Sequence, residues 1–522
     1  MRKFNVTGVC VPGKHYMADI SEKLKKIREF IYGECYFTRN RARQYGKTTT
    51  LNMIQQTLPA EYICASISFE GLGDETFVSQ EAFCPTFVGQ VAKALKFTPV
   101  SKEYSDKWAD CGITDFNNLS EHIADMCKGN KIVLMIDEVD KASNNRVFLD
   151  FLSMLRTKFL ARQTGKDCTF HSVILSGVYD IKNTKLKMIS EGSYTPAPSE
   201  SKIYNSPWNI AVDFDIDMSF SPKEISTMLK EYEADRGTGM DIAEISEEIH
   251  VHTNGYPFLV SRICQHIEEK LDREWSLAGV QKAVNIIIYE HNTLFDDIYK
   301  NLESDKELYQ LLYSILVLGE SYTFKTGNPV IDLAHMFGII ENKNGIAKVS
   351  NRIFETIIYD YFISKDQTSA EPKKIKGVIS EAIKNGRLDM ELCLRKFADH
   401  YGEMFTEKDI GFLERHGRLL FLSYLRPFIN GEGYYHIESE TRNQRRMDIA
   451  VDFGNEQFII ELKVWRGEKY NQEAYGQLLE YMEGKKTDTA YLLTFDFRKD
   501  ANKKPKAEWV EFDGKRIFDV VI

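Results

Sequence analysis

Arg41-Ala42-Arg43-Gln44-Tyr45-Gly46-Lys47-Thr48-Thr49 is the stretch on which the fold of this chain turns. A loop that wraps a phosphate chain needs the order Gly-x-x-x-x-Gly-Lys-Ser/Thr. Its backbone N–H groups surround the phosphates, its lysine reaches the outer ones, and its hydroxyl ligates magnesium. Gly46, Lys47 and Thr48 fill the last three positions, with Thr49 beside them, while Arg41 stands where the first glycine belongs. A short apolar run, Cys35–Thr38, precedes the loop, and a helical pattern, Thr48–Leu58, follows it.

Lys131-Ile132-Val133-Leu134-Met135-Ile136-Asp137-Glu138 reads as a buried strand that ends in two carboxylates. At a strand's C-terminal end Asp137 can hold magnesium through water, and Glu138 can polarise an attacking water. Further strands are predicted at Tyr62–Phe69, Ser172–Leu175 and Asn209–Phe214, with a helix at Val147–Ala161. Strand–helix alternation implies a parallel sheet covered on both faces. Ser176 suits a γ-phosphate sensor or a satisfied strand-end serine. Arg156 and Arg162 suit arginine fingers or solvated surface arginines.

A chain of 522 residues exceeds one hydrophobic core and implies several domains. Its 43% hydrophobic and 28% charged residues are those of an ordinary globular protein. No apolar run is long enough for a transmembrane helix, and no apolar h-region follows the first residues. The nine cysteines form no Cys-x-x-Cys pair, which argues against structural zinc and suits a reducing cytoplasm. The net charge of -10 argues against a general nucleic-acid coat. Residues 371–522 hold 26 Lys+Arg against 27 Asp+Glu, so that part is nearly neutral and has room for a local basic groove.

The polar stretch Ser364–Lys374, which contains Pro372, reads as a linker, and Glu191–Ser201 as an inserted loop. Ser221-Pro222-Lys223-Glu224 is a helix start, with serine as N-cap, proline first and glutamate third. Residues 300–363 read helix, helix, helix, hairpin, helix, the hairpin being Gly338–Val349. That order suits a winged-helix module.

The loop of residues 41–49 together with Leu134–Glu138 resembles the AAA-ATPase-like proteins within the STAND and archaeal-type AAA+ group. The resemblance covers residues 1–365. It implies ATP bound by Gly46, Lys47, Thr48, Thr49, Asp137 and Ser176, magnesium on Thr48 and Asp137, and Glu138 as catalytic base. Thr253-Asn254-Gly255-Tyr256-Pro257 is similar to the Gly-x-Pro signature of that group's helical lid. The resemblance places Pro257 near the nucleotide base, while proline at the first position of a helix is the plainer reading.

The C-terminal part carries a second constellation. Met447–Phe453 and Gln457–Trp465 alternate as two strands around the turn Gly454-Asn455-Glu456. Antiparallel pairing brings Asp448 near Glu461, and Glu461 and Lys463, two apart, leave one face. Ile460 and Leu462 then face the other side, toward a helix or the core. Two carboxylates and an amine in an apolar strand need compensation, which a divalent cation with oxygen ligands supplies. A surface ion-pair ladder is the alternative. The Asp…Glu-x-Lys arrangement resembles the PD-(D/E)XK nuclease superfamily. That resemblance implies Mg2+ or Mn2+ on Asp448 and Glu461, with Lys463 catalytic. Glu414 is the match for an added acidic ligand, with Glu440 competing. Gln477 and Tyr481 share a helix face that resembles the superfamily's Gln-bearing helix. Arg442, Arg445 and Arg446 are candidates for phosphate contacts.

The expected fold is α/β: a P-loop parallel-sheet ATPase core (1–215), a helical lid (216–295), a winged-helix-like module (296–366) and a small PD-(D/E)XK nuclease-like domain (375–522). The expected function is nucleotide-coupled, metal-dependent cleavage of nucleic acid, DNA foremost, in the cytoplasm, with no membrane and with homo-oligomer formation left open. A non-cleaving nucleotide switch that binds DNA or a protein is the alternative. A membrane- or substrate-remodelling ATPase would need a pore loop or an anchor, and neither is found in the sequence.

Overall fold

The structure is a computed structural model. It describes residues 2–522 apart from 41, 99, 101, 110–111, 143–144, 178–207, 213, 317–319, 370–381, 385, 405–420, 423, 426–428, 430–432, 437–448, 455, 466–467, 486, 497–505 and 513. The chain divides into two compact units. The first is Met1–Gly237, Gly255–Arg262 and Met336–Gly338; the second is Thr238–Asn254, Ile263–His335 and Ile339–Ile522.

The first unit is built on strands β1 (Tyr36–Asn40), β2 (Tyr62–Ser68), β3 (Lys131–Asp137) and β4 (Ser172–Gly177). They form a parallel sheet in the order β1-β4-β3-β2. The apolar runs predict this sheet to within about two residues at each end. Side chains alternate across it, as a pleated strand requires. Ile132, Leu134 and Ile136 join one core, with Phe83, Phe87, Phe151 and Leu155 from the helices on that face. Val133 and Met135 join the other, with Leu24, Ile27, Leu51 and Ile54. These cores belong to α1 (Ser21–Tyr32), α2 (Lys47–Thr57), α3 (Gln80–Leu95), α4 (Lys102–Ala109), α5 (Phe116–Cys127) and α6 (Arg146–Gln163). Burial on both faces explains why β3 is continuously apolar rather than alternating.

Among the described residues the strand predicted at Asn209–Phe214 is a single parallel bridge, Phe37 with Val212. Helix α7 (Pro222–Arg236) starts as the sequence predicts. Ser221 and Glu224 form a reciprocal capping box, and Gly237, at φ +60°, ends the helix.

In the second unit α8 (Ile242–Thr253) is followed by α9 (Pro257–Lys270), whose first residues count with the first unit. Then come α10 (Leu277–Tyr289), α11 (Thr293–Ser304) and α12 (Lys306–Leu316). Strand β5 (Tyr322–Thr323), α13 (Pro329–Met336), β6 (Ile340–Lys343), β7 (Ile346–Val349) and α14 (Arg352–Ser369) complete this part. The three strands pair antiparallel in the order β5-β7-β6. Asn344 and Gly345, both at positive φ, make the two-residue turn that suits the right-handed twist of a hairpin. The linker predicted from Ser364 is corrected: residues 364–369 continue α14, because Phe362 and Ile363 are buried and the helix carries on past them. Residues 370–374 of that stretch and the loop 191–201 lie outside the described residues.

The C-terminal part begins with the hairpin β8 (Ile383–Lys384) and β9 (Arg387–Leu388) and the helix α15 (Met390–Met404). Its six-stranded sheet consists of β10 (Gly433–His436), β11 (Ile449–Phe453), β12 (Glu456–Val464), β13 (Thr489–Phe495), β14 (Lys506–Phe512) and β15 (Lys515–Val521). Their order is β10-β11-β12-β13-β15-β14. The β11–β12 hairpin turns where the sequence predicts, with Phe453 opposite Glu456. Strand β12 runs parallel to β13, and α16 (Glu468–Lys485) is the crossover between them.

Candidate functional site

Strand β1 feeds a loop that closes at Gly46, the N-cap of α2, in the left-handed conformation at φ +70°. Gln44 also has positive φ, +57°. The loop therefore delivers the unpaired N–H groups of a helix N-terminus, with their partial positive charge, to one place. Arg39, buried in β1, donates to the carbonyl of Lys47 at 2.8 Å and fixes the first turn of α2. Lys47 is buried, and its Nζ lies 3.4 Å from the Ala42 carbonyl. Burial pulls its pKa down, opposed by the charges of Glu138, Asp140 and Asp137.

Thr48 Oγ1 donates to Asp137 Oδ2 at 2.6 Å, which joins the loop to the acidic end of β3. Glu138 follows in the left-handed conformation at φ +54°, its N–H donating to Asp137 Oδ1 at 3.1 Å. Burial pushes the Glu138 carboxyl up; Lys47 opposes this, and Asp137 and Asp140 reinforce it. Ser176 is fully buried, in register with Arg39 of β1, and its Oγ has no hydrogen-bond partner among the described residues. The next residue, Gly177, has no room for a side chain. A Cβ there would sit 2.7 Å from Asp140 Oδ1 and 2.9 Å from Val139 Cγ2. The structure thus brings together Gly46, Lys47, Thr48, Asp137 and Glu138, with Ser176 on the adjoining strand. Arg41 lies outside the described residues.

A cavity beside this loop involves residues that the sequence reading missed. Asn5, Cys10 and Met17 of the N-terminal segment line it, together with Gly46, Thr49 and Pro257. The Cys10 N–H donates to Thr49 Oγ1 at 3.1 Å. Arg2 pins the segment to α7 through Glu231 at 2.8 Å and Asp235 at 2.9 Å, and Phe4, Tyr16 and Tyr232 cluster beneath. Nothing periodic marks residues 5–20, so only tertiary contact reveals them. Pro257 is both the first residue of α9 and part of the cavity wall.

Arg162 is neither a solvated arginine nor a finger at this loop. It donates to the carbonyls of Phe170, His171 and Glu34 and lies over the Tyr36 ring, at the N-terminal ends of β1 and β4 and away from the loop. Arg156 is half-buried rather than solvated.

In the C-terminal sheet Glu461 and Lys463 form an ion pair at 2.6 Å, and they are 2% and 9% exposed. This is not a surface ladder. Ile459, on the same face by strand alternation, packs with Ala474, Leu478 and Met482 of α16. Ile460 and Leu462, on the other face, are fully buried, so both faces of β12 are covered. Thr494 of β13 stands in register with Lys463.

Gln477 is half-buried on α16, and Tyr481 on its face is buried against the sheet. Ile449 pairs with Ile460. Asp448, Glu414, Glu440, Arg442, Arg445 and Arg446 lie outside the described residues. Among the described residues no three His, Cys, Asp or Glu side chains are grouped to hold a metal ion. The sequence reading also missed Asp519. It lies on β15 in register with Leu492, which in turn pairs with Glu461, and it accepts from Tyr475 Oη at 2.6 Å. Burial pushes its carboxyl up. A lone aspartate in the apolar run Ile517–Val521 was the available signal.

No helix among the described residues is long and apolar enough to cross a membrane. A comparison with curated proteins finds no match. Among solved structures the chain is similar to a Walker-type ATPase of Pyrococcus abyssi. The identity is 12%, over 68% of this chain and 99% of that one, at a TM-score of 0.46. It is also similar to the ORC2 protein of Aeropyrum pernix in ADPNP–ADP complexes, with 11% identity, over 66% of this chain and 93% of that one, at a TM-score of 0.32. A family model described as an AAA-like domain matches residues 25–362, well over half of the sequence, and the chain belongs to that family.

Proposed function

We propose that the first unit binds and hydrolyses ATP at the loop of residues 42–49. The observation that carries this reading is the 2.6 Å bond from Thr48 to Asp137, with Lys47 and Glu138 beside it. The N–H groups at the start of α2 and the amine of Lys47 neutralise the phosphates. Thr48 and Asp137 are the residues that would hold Mg2+, whose chemistry is to offset charge on the phosphate oxygens. Glu138, with its affinity for a proton raised by burial, orients and polarises the attacking water. Ser176 contacts the outer phosphate from β4. The cavity beside Thr49 and Pro257 receives the base.

The second part of the proposal is a metal-dependent nuclease in residues 375–522 that acts on DNA, with Asp448 and Glu461 as metal ligands and Lys463 as the catalytic amine. Its support is the buried Glu461–Lys463 pair and the β11–β12 register: Asp448 precedes Ile449 in the chain, and Glu461 follows its partner Ile460. Glu414 is the added ligand, and Arg445, Arg446 and Gln477 are the DNA contacts. Residues 296–366, with the order β5-β7-β6, are read as a winged helix between an ATPase core with its lid (1–215 and 216–295) and the nuclease. A nucleotide switch without cleavage is the competing reading.

The test is paired. Phosphate release from ATP is measured for wild type, Lys47→Ala and Glu138→Gln. Mg2+- and Mn2+-dependent DNA cleavage is measured for wild type, Asp448→Ala and Lys463→Ala, with and without ATP. Hydrolysis unchanged in Lys47→Ala removes the ATPase reading. Cleavage absent in wild type, or persisting in both nuclease variants, removes the nuclease reading and leaves the switch.

A further inference from the structure

We infer that Tyr256 is a positioning residue for the phosphate loop: it holds the peptide between Arg43 and Gln44 in the orientation that a nucleotide's phosphates need. The inference rests on the nucleotide-site reading above and adds a residue from outside the loop to it.

Tyr256 is 2% exposed, and a buried phenol must find a hydrogen-bond partner. Its Oη donates to the Arg43 carbonyl at 2.6 Å, from 213 positions away in sequence. Its ring stands edge-on to Tyr45, with centroids 4.8 Å apart. A trans peptide is planar, so the Arg43 carbonyl and the Gln44 N–H point in opposite directions. Fixing the carbonyl outward on Tyr256 therefore fixes the next amide toward the loop's other side. Gln44 has positive φ, a conformation that a non-glycine residue keeps only when its surroundings hold it.

Tyr256 is itself braced. Gly255, at φ +71°, accepts from the Phe220 N–H at 2.7 Å, and a Cβ on Gly255 would lie 2.0 Å from the Phe220 carbonyl oxygen. Gly338, at φ +68°, lies against the loop from outside. A Cβ there would be 2.8 Å from that of Ala42 and 3.7 Å from Tyr256 Cε2. Two glycines that cannot be replaced without displacement thus hold one tyrosine against one carbonyl of the loop. A loop held this way gives up less conformational freedom when phosphate arrives, and affinity rises accordingly.

The experiment uses the full chain. Tyr256→Phe keeps the ring and removes the hydroxyl. The affinities for ADP and for adenosine are measured by competition against a fluorescent nucleotide, and hydrolysis is followed as kcat and KM. Loss of one hydrogen bond predicts about fivefold weaker ADP binding and a KM for ATP raised to match. The same reasoning predicts unchanged kcat and unchanged adenosine binding, because the phosphates alone meet the loop. Gly338→Ala, which pushes on Ala42, is the second variant and should weaken ADP in the same selective way. Equal ADP affinity in wild type and Tyr256→Phe overturns the inference alone. Equal weakening of ADP and adenosine also overturns it, since that marks general packing. A wild type that binds no ADP removes the nucleotide-site reading and this inference with it.

Discussion

Two strand ends in this chain carry acidic side chains beside a lysine, and they are built in opposite ways. At the end of β3, Asp137 and Glu138 emerge from an apolar strand into loops. Thr48, Lys47 and the N-terminus of α2 meet them there, and a cavity opens next to Gly46. In β12, Glu461 and Lys463 stay inside the sheet, paired with each other and covered on both faces. Charge at the first place meets a helix N-terminus and loop groups at the end of a strand. Charge at the second meets an ion-pair partner inside the sheet. A short motif therefore has to be read together with what the fold sets against it.

Loss of Glu461 should be felt most strongly. Glu461→Ala strips Lys463 of the carboxylate 2.6 Å from its amine in a buried setting. The expected loss is about 3–5 kcal/mol in the stability of the C-terminal sheet. Glu461→Ala with Lys463→Met should recover most of it. Hydrogen exchange of peptides that cover β12 and β13 reads both. A Glu461→Ala variant of wild-type stability would mean that this pair is not buried as a unit, and the contrast with β3 would disappear.

At the other strand end the expected effect is on rate. Glu138→Gln leaves the loop, Lys47 and Thr48 in place. It should lower kcat for ATP about 100-fold, with nucleotide affinity changed by no more than about threefold. Phosphate release and a binding titration measure the two numbers. A fall in affinity as large as the fall in kcat would recast Glu138 as a structural partner of Lys47.

Gly177→Ala comes next in size. Its Cβ would meet Asp140 at 2.7 Å and Val139 at 2.9 Å, so β4 or the turn after Glu138 must shift. Overpacking of this kind costs about 1–3 kcal/mol. Thermal unfolding and kcat should both fall, because the displaced turn begins at Glu138. Full activity in this variant would detach the turn from the chemistry.

The reach of the sequence follows the same division. Strands β1 to β4, the loop at Gly46 and the acidic end of β3 were legible because each is a local pattern: an apolar run, a glycine turn, a helix start. The capping box at Ser221 was legible for that reason too. Residues 5–20 were not, since they line the cavity through Cys10 and Thr49 without any periodicity of their own. Tyr256 was singled out only as the neighbour of Pro257, because its bond to Arg43 spans more than two hundred positions. Among the described residues the strand at 209–214 is a bridge at Val212, and the polar stretch from Ser364 stayed helical. In the C-terminal sheet the register and the turn at Gly454 were legible. The burial of Glu461 and Lys463 was not, because strand alternation tells which face a residue takes and not what covers it.

The dependence of stability on pH separates two buried carboxylates. Burial raises the carboxyl pKa of both Glu138 and Asp519. A carboxyl raised in the folded state adds stability that is complete below its unfolded value. That stability is lost as pH climbs through the folded value, because the buried group must then carry charge. For Asp519 the window opens at its ordinary 3.8 and extends upward, with a slope of at most about 1.4 kcal/mol per pH unit. Asp519→Asn keeps an acceptor for Tyr475 and cannot ionise. Its stability relative to wild type should therefore rise between pH 4 and 7, read by hydrogen exchange in β15. Glu138→Gln should show the same sign but a weaker trend, because Lys47 faces the ionised Glu138 and favours it. If Asp519→Asn tracks wild type across that range, Asp519 ionises freely in the folded chain. The two carboxylates would then differ in environment more than their shared burial implies.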